Sequence, residues 1–118
     1  MNETLDKLKN YGCDIDGALV RTLGDGGFLL SCIKATLEEP EFKKLGDALK
    51  KQDVVEAFEY AHALKGVVAN VGLTPLYDRL VRIVEPLRLG KAQGLEIEYD
   101  ALIKEKGKIE KLLRENAG

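Results

Sequence analysis

DVVEAFEYAHALKGVVANVG, Asp53 to Gly72, holds the one histidine of a 118-residue chain, His62. Val54, Ala57, Ala61, Leu64, Val68 and Val71 recur at intervals of three and four. That spacing lays apolar side chains along one face of a helix packed in a bundle. At about 100° per residue, His62 points ~130° away from the centre of the stripe and should face solvent. Lys65 and Gly66 follow it at the third and fourth positions, which sets both beside it on the helix surface. An inconsequential surface histidine is the ordinary reading of a solitary imidazole. The other reading is a nucleophile that carries a group between partners. Gly66 favours the second, because a glycine inside a helix costs about 1 kcal/mol relative to alanine. It is easiest to explain where another surface approaches closely or an imidazole needs room.

Downstream, Gly72 ends this helix as a left-handed C-cap, and Thr74-Pro75 opens the next. Leu76, Leu80, Ile83 and Leu87 form a heptad-like seam there, with Tyr77 and Val84 alongside. Pro86 removes a backbone donor inside the run and predicts a kink or an early end. Gly90 to Gly94 is a short polar link. The final helix is predicted from about Leu95 to Glu115, burying Tyr99, Leu102, Ile103, Ile109 and Leu112.

Upstream, Asp53 and Glu56 have the form of a capping box that starts the histidine-bearing helix. The preceding helix follows Pro40, with Phe42, Leu45 and Leu49 inward and Lys43, Lys44, Lys50 and Lys51 on a solvated face. From about Gly27 to Glu38, Phe28, Leu29, Cys32, Ile33 and Leu37 predict a strongly apolar helix central to the core. The Gly24-Asp25-Gly26-Gly27 cluster breaks the chain before it; without a lysine or a preceding strand it is a turn and not a phosphate-binding loop. Two short helices come first, Thr4 to Tyr11 and one capped by Asp14 that runs through Leu23. No stretch alternates with period two for long enough to propose a sheet. The fold class expected is all-α, an antiparallel four-helix bundle with additional short N-terminal helices, residues 1–118 forming one domain.

At His62-Ala63-Leu64-Lys65-Gly66 and the later Gly72, the chain resembles the H-x-L-K-G-x5-G signature of histidine-containing phosphotransfer (HPt) domains. These are helical-bundle intermediates of multistep phosphorelays. The resemblance extends to the amphipathic segment before the motif, the Leu-rich helix after it and the total length. It implies a phosphocarrier without ATP-dependent kinase activity of its own, relaying a phosphoryl group between aspartates of receiver domains through phosphohistidine at His62. It also implies that Nε2 is the attacking nitrogen; the residues alone do not say which nitrogen reacts. The partners it implies are response-regulator receiver domains, some of them on hybrid sensor kinases.

The residues themselves suit that chemistry. A ring nitrogen can attack phosphorus and form a covalent intermediate that divides one transfer into two steps. Lys65 is positioned to offer its ammonium to the phosphoryl oxygens, a contribution on the order of 1 kcal/mol or less at an exposed site. Glu59, three residues before His62, is placed to orient the imidazole by a hydrogen bond, although helix surface charge explains it equally well. Val55, Phe58, Gly66 and Ala69 make up a small or apolar contact region on the same side. Phe58 is its ambiguous member, with the alternative of turning into the core. No cluster of acids surrounds His62, so no cofactor or metal is expected on this chain, and the magnesium that phosphoryl transfer requires is expected on the partner receiver.

Composition narrows the classes further. The chain is 45% hydrophobic and 32% charged with a net charge of −2, an ordinary globular balance. Without a basic stripe nucleic acid is an unfavoured partner. No apolar run approaches a membrane span, and no signal-peptide pattern opens the chain, so a cytoplasmic protein is expected; a monomer is expected because one self-contained bundle suffices for the role. Cys13 and Cys32 read as small buried hydrophobes and not as a disulfide or a metal pair. Three rival functions stand beside the relay. One is a non-transferring HPt-like adaptor that binds or sequesters a receiver. Another is a sensor-kinase dimerisation domain, disfavoured because Ala63 follows the histidine where an acid is typical. A generic bundle is the third, and it leaves Gly66 unexplained.

Overall fold

A computed structural model describes residues 2–115, which form seven helices and no strand. They are α1 (Glu3–Asn10), α2 (Ile15–Arg21), α3 (Gly26–Leu37), α4 (Glu41–Lys50), α5 (Val54–Asn70), α6 (Thr74–Arg88) and α7 (Leu95–Glu115). The last four make the bundle. α5 packs against α4 and α6, and α7 closes the ring against α6 and α4. Cross-helix pairs show the alternating directions. Phe58 meets Arg88, Arg79 meets Glu105, and the Tyr99 hydroxyl donates to the Phe42 carbonyl at 2.7 Å.

Local chemistry ends each bundle helix cleanly. Asp53 accepts from the Glu56 N–H at 3.0 Å, satisfying one orphan donor of α5. The capping box is not reciprocal, because the Asp53 N–H is already given to the Ala48 carbonyl at 3.0 Å. At the other end Gly72 has φ +77°. The Leu73 N–H returns to the Val68 carbonyl at 2.9 Å and the Gly72 N–H to the Ala69 carbonyl at 3.1 Å, a Schellman closure. α6 passes through Pro86 and stops at Arg88, so the helix ends two residues after the missing donor.

The core is one cluster in which Ala57, Ala61, Leu64, Val68, Leu76, Leu80, Ile83, Leu87, Leu102 and Ile109 are almost fully buried. Small Ala57 and Ala61 let the α5 backbone approach its neighbours closely, and the leucines of α6 fill the space opposite. Gly46 on α4 serves the same end, since a Cβ there would lie 2.6 Å from the Tyr99 ring of α7.

The N-terminal helices dock on the end of the bundle that holds the α5–α6 turn. The Asp14 N–H donates to the Gly72 carbonyl at 2.8 Å, and Tyr11 donates its hydroxyl to the Glu105 carboxylate on α7. Three expectations need correction here. α2 stops at Arg21 and not at Leu23, because Leu23 takes a left-handed φ of 54° and is 95% exposed. α3 is peripheral, not central: only its Leu29–Ile33–Thr36–Leu37 side is covered, leaving Phe28 58% exposed and Cys32 half-buried. On α7 the buried row is Leu95, Leu102, Ile109 and Leu113. Ile103 lies one position round, on the rim towards Phe42, and is exposed; Tyr99 and Leu112 are half-buried. Cys13 is buried, and both cysteines are free.

Candidate functional site

α5 divides its residues between two opposite faces. Ala57, Ala61, Leu64 and Val68 go inward. Val55, Glu59, His62, Gly66 and Ala69 are all exposed and follow one another by four, three, four and three. They form a straight outward stripe about 21 Å long at 1.5 Å per residue. His62 is at its centre. Every residue singled out in the sequence apart from Phe58 and Lys65 lies on this line, and those two occupy the neighbouring row towards α6.

The imidazole is exposed but not unsupported. Its ring stacks on that of Phe58, one turn earlier, with centroids 5.5 Å apart and planes inclined by 23°. Phe58 is half-buried: it packs against the core and also borders the site. Arg88, at the end of α6, places its guanidinium 5.3 Å from the Phe58 centroid and is held by Glu85 at 3.3 Å. Among the described residues, no hydrogen bond joins Glu59 to His62. Lys65 is half-buried and forms no salt bridge with a described residue, which leaves its ammonium uncommitted.

Gly66 faces open space. A Cβ built there would meet no atom within 4 Å, so nothing in the fold itself requires glycine at this position. The contrast with Gly46 and Gly72 is direct, because a Cβ at either would meet another part of the chain at 2.6 Å or less.

Beside the stripe, Val54, Val55, Phe58, Leu87, Arg88 and Gly90 border an open groove of about 440 Å³, and Leu89 next to it is 73% exposed. Arg88 and Leu89 were not singled out from the sequence. Phe58 and Arg88 are equally distant from Leu73 along the chain, so a tight hairpin centred on that turn pairs them. Among the described residues, no group of three or more His, Cys, Asp or Glu side chains converges to hold a metal, and no helix is long and apolar enough to cross a membrane.

No curated protein and no solved structure gave a match to the chain. The family model for the Hpt domain matches residues 34–115, from the last turn of α3 through α7. The match spans the complete bundle and its histidine-bearing helix, more than two thirds of the sequence, and the chain belongs to the Hpt domain family.

Proposed function

We propose that this protein relays a phosphoryl group between receiver-domain aspartates, with His62 as the phosphoacceptor. Hpt domains are phosphocarrier modules that interact with receiver domains in phosphorelays; the particular role of His62 is our reading. The observation that carries it is the open imidazole on α5 one turn from Gly66, where no atom of the chain obstructs approach.

In the reaction a ring nitrogen of His62 attacks the phosphorus of an aspartyl phosphate. The N–P bond forms, the P–O bond to the aspartate breaks, and the carboxylate leaves with the electron pair. Lys65 offers its ammonium to the phosphoryl oxygens as a point charge on a flexible stem. Val55, Phe58, Glu59, Gly66 and Ala69 receive the partner's surface. Mixed apolar and charged contacts of this kind suit an interface that releases its partner after each transfer. The metal and its acidic ligands belong to the receiver, and without a cluster of acids around His62 storage of the phosphohistidine is favoured over its hydrolysis.

Mixing the protein with a receiver carrying radiolabelled aspartyl phosphate tests the reading. Label should move to the wild type in an alkali-stable, acid-labile form, and His62→Gln should fold normally and take none. Equal labelling of both would remove His62 from the mechanism. Binding of the receiver without any transfer of label would establish the adaptor function instead.

A further inference from the structure

We infer that Phe58 is a positioning residue for phosphoryl transfer, holding the His62 ring by one face and so fixing the plane in which its nitrogens are presented. The inference deepens the assignment of His62 as phosphoacceptor and rests on it. An exposed histidine on a helix otherwise moves between two or three χ1 wells, each with two broad χ2 orientations that share one ring plane. Here the imidazole lies against the Phe58 ring at 5.5 Å and 23°, so one face of the imidazole is occupied, and leaving this χ1 well or turning the ring out of its plane would break the stack.

Phe58 is itself held on two sides. Its inner edge packs on the core, and the Arg88 guanidinium, anchored by Glu85, lies over its ring at 5.3 Å. The orientation of the imidazole is thus tied through Phe58 to the last turn of α6. Aromatic contact of this kind adds to area burial and has a preferred geometry, whereas a leucine would retain the apolar volume without the planar face. A ring confined to one of at most three χ1 wells gains at most about threefold in rate over a free one.

Phosphoramidate supplies a test that needs no protein partner. The His62 nitrogen attacks its phosphorus, the N–P bond to the ring forms, and the bond to the amide nitrogen breaks, with that nitrogen leaving as ammonia after taking up a proton. Phe58→Leu should be phosphorylated about two- to threefold more slowly than the wild type, and Phe58→Tyr should restore the rate. A second readout follows from the single histidine. The two carbon-bound ring protons of His62 should move downfield in Phe58→Leu, as they leave the shielding region of the aromatic ring, and return in Phe58→Tyr. Wild-type rate in Phe58→Leu, or unmoved ring signals, overturns the inference. If phosphoramidate labels His62 but no receiver does, the relay role falls while the positioning role stands; if neither labels it, both fall.

Discussion

Arg21 donates from Nε to the carbonyl oxygen of Asn70 at 2.7 Å, and its Nη2 reaches the Ala69 carbonyl at 3.1 Å. These are two of the carbonyls that the end of α5 leaves without intrahelical partners. The guanidinium also brings positive charge to the negative end of the helix dipole. A helix outside the bundle therefore secures the end of the histidine-bearing one. Arg21→Ala should lower stability by about 1 kcal/mol, read as a shift in the urea midpoint at constant slope. Arg21→Lys should recover less than half of it, because an ammonium lacks the planar fork.

Gly66→Ala should separate stability from function. With nothing within 4 Å of the added methyl, the folded state should gain about 0.5–1 kcal/mol from helix propensity. Phosphotransfer from a receiver should fall at the same time, since under the proposed function the methyl would stand where the partner approaches. A higher melting temperature with undiminished transfer would show that the bare patch has no part in docking.

Gly72→Ala should act in the opposite sense. The position has φ +77°, and a Cβ would lie 2.4 Å from the Asp14 carbonyl oxygen. Left-handed strain alone costs about 1–2 kcal/mol, and the clash adds to it. Thermal unfolding should show a loss of 2 kcal/mol or more, roughly.

Lys65→Ala should slow transfer or shorten the phosphohistidine lifetime by a factor of about five at most, the equivalent of roughly 1 kcal/mol. Labelling time courses with one receiver check this. Complete loss would mean that the ammonium takes part in the chemistry more intimately than a screened point charge can.

Alkali should unfold the protein through Tyr11 and Cys13. Burial, and then the hydrogen bond to Glu105, push the Tyr11 phenol from 10.0 up to about 12, and burial pushes the Cys13 thiol from 9.0 up to about 12. Each group holds its proton more tightly in the folded chain. Their stabilisation is therefore complete below the unfolded values and lost as pH rises from about 9 to about 12. Urea midpoints measured across that window should fall, and the slope should flatten in Tyr11→Phe and Cys13→Ala.

Much of this was legible in the sequence because α5 and α6 carry their instructions locally. The three-and-four spacing from Val54 to Val71, the Asp53 cap and Gly72 define one helix and its end without reference to the rest of the chain. Phe28 and Ile103 were misread for the opposite reason. Both lie on strongly apolar helices, and which flank of such a helix is covered depends on neighbours that periodicity cannot place. Leu23 misled because an apolar residue at helical spacing hides a left-handed turn. At the site, the outward stripe follows from spacing alone. The Phe58 stack and the presence of Arg88 depend on side-chain rotamers and on the register between α5 and α6.

The inward residues of α5 and its outward stripe share no member. Under the proposed relay function, partner choice can therefore drift, or be rewritten by exchanging Val55, Glu59 and Ala69 as a set, while the scaffold beneath is left alone. A pathway could be rewired at this helix by editing what it displays, with no renegotiation of how the chain folds.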